Sequence, residues 1–379
     1  MKQRIERYLL TTLLCLTAMA VNAQTTVIDK EENFPVSYAS VFNQDGKFLG
    51  QTDVNGILPD IQDAKSIRIT HIAYEPLQVK KSNLGKEIKM QQVQLKLNEA
   101  VIAKPKSHCI KLTGFLRNFA LTNQIFEDED PVMRFYEGTG TLYIFLNGKN
   151  SSKWYDLAAR DGKTGEMVEE QKRVMLNLSQ RSTIEAINKS KKYSTRPADG
   201  YTQIIKNDTT VGTIITDSAK SIIRADIDYL FPDTVRVFNL LVMKFRVTSA
   251  KESFIYHLPD EEFVSQSNLL AYNHYMHYWT KAMGMRIEGD RFEEFYIDKA
   301  QFLTEDEYKA DIKAYKADKK SGKFDLTSEQ LDAYMKEHNI PEIPEELKKS
   351  LEISRQIQAK EAEKKEAKKN KNKEGVSND

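Results

Sequence analysis

The chain predicts an all-β sandwich at its front, an α+β domain with an antiparallel sheet behind it, and a charged helical tail. Three observations carry this. Residues 25–102 alternate short apolar and polar runs between Asp45-Gly46 and Asn55-Gly56, dipeptides that accept the positive φ of tight hairpins. Residues beyond 104 mix longer strand-like runs with stretches at helical spacing. Beyond Pro341 and Pro344 the sequence becomes rich in Lys and Glu, with only a sparse apolar stripe.

In the sandwich, Thr25–Asp29, Ser37–Phe42 and Phe48–Thr52 read as the first three strands. Ser66–Ala73 alternates Ile67, Ile69 and His71 with Arg68, Thr70 and Ile72, and Val93, Leu95 and Leu97 alternate in a last strand. Lys104-Pro105-Lys106 reads as a linker, so the predicted units are 24–103, 104–342 and a tail of 343–379.

In the second unit, Leu112–Phe126 and Asn268–Met283 carry apolar residues near helical spacing and predict helices. Met167–Lys189 is also expected to be mostly helical. Glu127–Asp130 reads as a solvated acidic break. Val132–Asn147 reads as a long strand kinked at Glu137-Gly-Thr-Gly140 and turned by Asn147-Gly148. Tyr201–Asp217, Val235–Val247, Phe254–Leu258 and Arg291–Ile297 favour strands. Thr304 with Glu307, and Thr327 with Gln330, have the spacing of capping boxes. Glu345–Lys365 predicts a charged helix, and Lys368–Asp379 a disordered end.

The first residues read as a secretory leader. Lys2, Arg4 and Arg7 precede an apolar stretch, Tyr8–Ala20, and Val21-Asn22-Ala23 offers small residues for cleavage between Ala23 and Gln24. The apolar stretch is short for a bilayer span, and no later stretch reaches that length. Cleavage removes Cys15 and leaves Cys109 alone, which excludes an intramolecular disulfide in the mature chain. The 379 residues carry a net charge of +1, so no global field draws nucleic acid to the chain.

Within residues 25–102, a strand ending in Asp (Val27-Ile-Asp29) is followed by Pro35–Val41. Thr52-Asp-Val-Asn-Gly56, His71-Ile-Ala-Tyr-Glu75 and Leu97–Ile102 come next. This series resembles the carboxypeptidase-like regulatory domain family, with Ala73 and Ala100 in place of the usual Gly and Val. The resemblance implies an Ig-like, transthyretin-like β-sandwich that is an accessory module without a zinc-ligand set. It also implies an exported protein of the Gram-negative envelope, periplasmic or associated with the outer membrane. Asp53, Gly56 and Tyr74 are then structural: Asp53 bonds amides across the turn that Gly56 closes, and Tyr74 buries its ring at a sheet end while its hydroxyl reaches water. Nothing after residue 104 resembles a family firmly. A helix followed by antiparallel strands is loosely similar to the half-barrel of periplasmic lipoprotein carriers, an analogy of fold alone.

Few residues point to chemistry. His274 and His277 would share a face of the predicted Asn268–Met283 helix, yet two histidines do not complete a zinc site. Tyr275 and Tyr278 flank them and are candidate binding residues, as are Trp154 and Tyr155. No nucleophile elbow, phosphate loop or dinucleotide fingerprint is present, and no cofactor or metal is predicted. The expectation is a non-enzymatic protein binding an envelope protein, a glycan or a lipid. The alternatives are a periplasmic hydrolase using His257, His274 and nearby carboxylates, and a carrier of lipid or lipoprotein.

Overall fold

The computed structural model describes residues 24–375 apart from 62–63, 94–105, 123–130, 147–150, 169–175, 177, 232–234, 241–242, 259–263, 283–284, 323–325 and 344. The leader expected through Ala23, all but Val93 of the expected last strand, the Leu97–Ile102 motif, the Lys104-Pro105 part of the expected linker, the Glu127–Asp130 run and the expected Asn147-Gly148 turn lie outside the described residues.

The front of the chain forms β1 (Thr26–Asp29), β2 (Ser40–Asn43), β3 (Phe48–Gln51), β4 (Ser66–His71), β5 (Tyr74–Lys80) and β6 (Glu87–Met90). Strands β1 and β6 pair in parallel, and the other four form an antiparallel sheet in the order β3-β2-β4-β5. Alternation explains the packing: Ile67, Ile69 and His71 of β4 are buried while Ser66, Arg68 and Thr70 are partly exposed. Gly56 sits at φ +75°, and a Cβ there would come within 2.3 Å of the Val27 carbonyl, so the turn into the second half of the module requires glycine.

The remainder is built on one large antiparallel sheet. Its strands are β7 (Cys109–Thr122), β8 (Val132–Phe145), β9 (Ser152–Asp161), β10 (Met167–Val168), β11 (Ser194–Pro197), β12 (Thr202–Lys206), β13 (Thr209–Asp217), β14 (Ile222–Asp228), β15 (Arg236–Leu240), β16 (Met243–His257), β17 (Leu269–Ala282) and β18 (Met285–Leu303). They run in the order β10-β9-β8-β7-β18-β17-β16-β14-β13-β12-β11, with β15 paired to β16. Among the described residues the α-helices are α1 (Thr183–Lys189), α2 (Glu305–Lys320), α3 (Ser328–Glu337) and α4 (Glu345–Gly375). Both expected capping boxes are formed, at Thr304–Glu307 and Thr327–Gln330.

Four expectations are corrected. Leu112–Phe126 is not helical: residues 112–122 belong to β7. Asn268–Met283 is not helical either, but is β17 after a single 3-10 turn. Both strands are covered on each face, so they lose the polar alternation that marks a half-exposed strand, and their continuous apolar and aromatic content mimics helical spacing. Among the described residues of Met167–Lys189, Met167–Val168 is a strand and Thr183–Lys189 a helix. The tail helix reaches Gly375, past the point where disorder is expected. The Gly138–Gly140 segment stays within β8, and a Cβ on Gly140 would lie 2.1 Å from the Trp154 indole, so this glycine makes room for a ring.

One face of the large sheet carries the front module and helices α2–α4. An apolar cluster there joins Val27, Val41, Ile69 and Met90 of the module to Phe115, Ile255, Leu270 and Tyr296 of the sheet and Leu331 of α3. On the opposite face, Leu176, Leu178 and Ile187 pack against Ile110, Leu112 and Ile144 near one end of the sheet and Ile204, Val211 and Ile227 near the other. The cluster is continuous across the sheet, through Phe295 of β18, Tyr272 of β17 and Phe254 of β16.

Polar groups tie the module down as well. Tyr74 is 1% exposed. Its hydroxyl donates to Asp29 Oδ2 at 3.0 Å and accepts from Arg224 Nη1, which corrects the expectation that it reaches water. Arg224 also pairs with Asp226 at 2.9 Å, and Asp226 accepts from His71 Nε2 at 3.2 Å.

Tyr74→Phe leaves the buried Asp29 and Arg224 groups short of a partner and is expected to cost about 1–3 kcal/mol. Both tryptophans, Trp154 and Trp279, lie in the large sheet. In urea, their fluorescence midpoint should therefore fall in the Tyr74→Phe variant. An unchanged midpoint would show that module and sheet unfold independently.

Candidate functional site

Strand register builds the most distinctive feature of the large sheet. Arg160 lies opposite Glu137, Glu137 opposite Arg117, and Arg117 opposite Glu294. The row continues through Asn273, Ser253, Asp226 and Thr213. Facing residues in antiparallel strands point to the same side, so these polar groups form one line across the module-covered face. At the β13–β14 end the module covers it: Ser37 Oγ lies 3.4 Å from Thr213 Oγ1, and His71 Nε2 lies 3.2 Å from Ser253 Oγ.

Serine, histidine and aspartate meet at that end without forming a catalytic relay. Ser253 and Asp226 both contact Nε2 of His71, while Nδ1 accepts from the Ala73 amide at 3.1 Å. A relay needs the nucleophile and the orienting acid on different ring nitrogens of the histidine base. The His71 and Asp226 side chains are fully buried. Burial pushes the Asp226 carboxyl up, but Arg224 and His71 outweigh it and hold the group below its ordinary value. This end of the row is a joint.

The other end opens into a cleft of about 1060 Å³. Its floor is Phe135 and Glu137 of β8 with Arg160 of β9, its roof Met335, Ile340, Ile343 and Leu351 around α3 and α4, and its near wall Glu75 and Pro76 of β5. The floor charges are matched. Arg160 Nη2 contacts Glu137 Oε1 at 2.5 Å and its Nη1 contacts Asp332 at 2.8 Å. Arg117 Nε contacts Glu137 Oε2 at 3.1 Å, and Nη1 contacts Glu294 Oε2 at 3.2 Å. Arg355 of α4 donates to the Gly162 carbonyl at 3.1 Å, fixing the far rim. The cleft therefore offers an apolar strip, paired charges on its floor, and exposed Lys336 and Glu75 at its mouth.

A second polar row, one register step away, lies on the opposite face: Asn118, Glu293, His274 and Glu252. Glu293 accepts from Asn118 at 2.7 Å and lies 3.3 Å from His274 Nδ1, with Arg291 also donating to it. Tyr272 donates to Glu252 at 3.0 Å. Burial raises the Glu252 carboxyl above its ordinary value despite His274 and Tyr272. Burial alone would lower His274, but its bond to Glu293 wins and raises it.

The sequence-predicted site residues are scattered. In a strand, residues three apart point to opposite sides, so His274 and His277 do not share a face as a helix would require. Tyr275 is core: it packs between Phe48 and Phe292, and its hydroxyl donates to Asp290 at 2.8 Å. His277 contacts Asp290 at 2.8 Å and Glu288 at 3.4 Å. Tyr278 stacks on Phe245 on the opposite face. Trp154 packs edge-on against Phe295 and donates to Asp156, while Tyr155 faces Tyr143 and Tyr315 on the other side of the sheet. His257 does not converge with His274: it lies opposite Ile222, five residues beyond Glu252 and on the other face. Asp53 Oδ1 accepts from the Asn55 and Ile57 amides at 2.8 Å. Gln24 is exposed just before β1. Cys109 is fully buried, and burial pushes its thiol up to about 12.

Sequence reasoning missed the row itself. Its visible trace is a charge embedded in an apolar run: Arg117 within Phe115-Leu-Arg-Asn-Phe119, and Arg224 and Asp226 within Ile222–Asp228. Among the described residues no group of His, Cys, Asp and Glu is arranged to hold a metal ion.

His277 carries a pH prediction. Its hydrogen bond to Asp290 raises its pKa above the ordinary value. The stabilisation is thus complete below about pH 6.5, the unfolded value, and is lost as pH rises through the higher folded value. His277→Gln should lower the urea midpoint more at pH 5.5 than at pH 9. An equal shift at both would exclude a charged His277–Asp290 pair.

No family model matches the chain, and no curated protein matches it.

Proposed function

We propose that this is an exported, non-enzymatic envelope protein whose front module, residues 24–103, is a carboxypeptidase-regulatory-like sandwich. In this reading the unit behind it binds a segment of a partner polypeptide in the cleft over β8 and β9. The observation that carries it is the cleft itself: about 1060 Å³ at the meeting of module, sheet and helices, near the upper end of the usual range for ligand sites. An apolar strip with charges of both signs suits a polypeptide, which brings apolar side chains, charged side chains and backbone dipoles together. A glycan would want aromatic platforms, and among the described residues Phe135 is the one aromatic ring in the lining. A lipid tail would have to bury against Glu137 and Arg160.

The carrier alternative draws no support from the face opposite the module, where Leu176, Leu178 and Ile187 join the apolar cluster of the sheet. The hydrolase alternative has one favourable observation, that His274 lies against Glu293 and opposite Glu252, with the proton affinities of His274 and Glu252 raised. Against it, Glu293 is already engaged by Asn118, His274 and Arg291. Among the described residues, no helix is long and apolar enough to cross a membrane.

A photo-crosslinking residue placed at Lys336, on the cleft wall, should trap a discrete polypeptide in cells producing the protein. The same residue at Lys189, at the end of α1, should not. Adducts at neither position, or at Lys189 only, would remove the cleft reading. Cell fractionation tests export separately: the protein should leave the cytosol.

A further inference from the structure

Strands β15–β18 run on together past their neighbours at one end of the large sheet. Among the described residues, β14 last pairs there at Asp228 with Lys251, and β7 at Thr122 with Gly289. Beyond those pairs the four strands stay in register to the end. The last level is Leu240, Met243, Ala282 and Met285, each opposite the next. The level before it is Asn239, Lys244, Lys281 and Arg286. Behind these come Phe238, Phe245, Thr280 and Ile287, and then Val237, Arg246, Trp279 and Glu288.

Leu240 pairs with Met243 and Ala282 with Met285, so two residues close each hairpin. Closures of that length are normally rich in Asn, Asp and Gly, which accept positive φ. By sequence they are Leu241-Val242 and Met283-Gly284. Ordinary turn chemistry is given up here for apolar character, the kind of departure that marks function rather than folding.

The apolar character is not confined to one face. Val237 is 47% exposed and Ile287 41% exposed. They stand one level apart, and successive levels point to opposite sides of the sheet. A protein partner docked on one face would leave the other side chain in water, whereas a fluid apolar medium covers both.

The order of the levels favours a lipid as well. Cations one step behind apolar residues hold their charged ends at phosphate depth while the strand ends enter hydrocarbon. Lys244 and Lys281 are both exposed. Trp279 is half-buried and lies three residues behind Ala282, about 10 Å at the usual rise of a strand. Interfacial segments sink by about 5–10 Å, which leaves this indole in the headgroup zone that tryptophan favours. The Arg246 guanidinium lies 4.5 Å from the indole centroid. The connection that leaves β7 at this end carries Glu127–Asp130 by sequence, so the order of levels, not net charge, is what selects the ligand.

We infer that this end of the sheet is a membrane-contact surface. The last level of β15–β18 enters the acyl layer of a phospholipid bilayer, with Lys244 and Lys281 at the phosphates. The cleft over β8 and β9 plays no part in it.

The test mixes the full-length protein with vesicles of phosphatidylethanolamine and phosphatidylglycerol brominated near the head of the acyl chains. Bromine quenches an indole only at short range. Trp279 therefore reports on the strand ends even where the apolar stretch Tyr8–Ala20 also touches the vesicle. Wild type should be quenched and Trp279→Phe should not. Lys244→Glu combined with Lys281→Glu should need at least about tenfold more lipid for half-maximal quenching. Val237→Asp combined with Ile287→Asp should weaken it in the same sense. The altered side chains of both double variants are exposed, so the fold is spared. The inference falls if wild type is not quenched, if Trp279→Phe is quenched as strongly, or if either double variant matches wild type. It falls too if the protein ignores vesicles but dimerises, with Ile287→Asp restoring the monomer; this end would then be a contact between copies.

Discussion

The register of one polar row constrains the rest of the molecule. From Arg160 on β9 to Thr213 on β13, each strand places a polar or charged side chain at the same level and on the same face. A sheet side chain changes face with every one-residue slip. If β7 slipped by one residue, Arg117 would leave Glu137 and Glu294 for the apolar cluster of Leu112, Leu116 and Leu142, and Asn118 would leave Glu293. The penalty for an unpaired buried charge, several kcal/mol, far exceeds the gain from any single apolar contact. Buried ion pairs add little net stability compared with good apolar packing, but they make wrong registers expensive. A large sheet of long, largely apolar strands needs that discrimination.

The row also explains why the front module is seated where it is. Its own strands are short, and so small a β unit buries too little apolar surface to be very stable alone. Here Val27, Ile69 and Met90 share a cluster with Phe115 and Tyr296, so the module completes its core on the sheet. Apolar contact alone would allow many seatings. Tyr74 between Asp29 and Arg224, and His71 between Asp226 and Ser253, select one, because any other leaves buried polar groups unmatched. The same seating brings Glu75 and Pro76 opposite α3 and so forms the near wall of the cleft. Cleft geometry is thus a consequence of the joint.

How much of this could be read in the sequence depended on how many faces of each element are wet. The module's turns were legible because Asp53 and Gly56 answer to local backbone geometry. The two capping boxes were legible for the same reason. Strands β7 and β17 were not, because burial on both sides erased the alternation that separates strand from helix. That error carried the site prediction with it. On a helix, His274 and His277 would have been neighbours; on β17 one meets Glu293 and the other Asp290, on opposite sides of the sheet. The pairing of Arg117 with Glu137 and Glu294 depends on long-range register, which leaves no local spacing to detect. Only the oddity of a charge inside an apolar run hints at it.

Placing compensated charges on a cleft floor has a consequence for recognition. A floor with excess charge attracts any opposite ion over long range and discriminates poorly. On the floor of this cleft, Arg160 is paired with Glu137 and Asp332, and Glu137 is shared with the buried Arg117 next to it in the row, so the floor charges are held in pairs. The chain as a whole is also near neutral, at +1. What such a floor can distinguish is the arrangement of donors and acceptors at short range, where an unmatched buried group is penalised and a matched one is not. Selectivity from this source needs a rigid frame, since a donor displaced by an ångström no longer discriminates. The polar row supplies that frame, because the side chains that face the cleft are held by the same pairs that fix strand register.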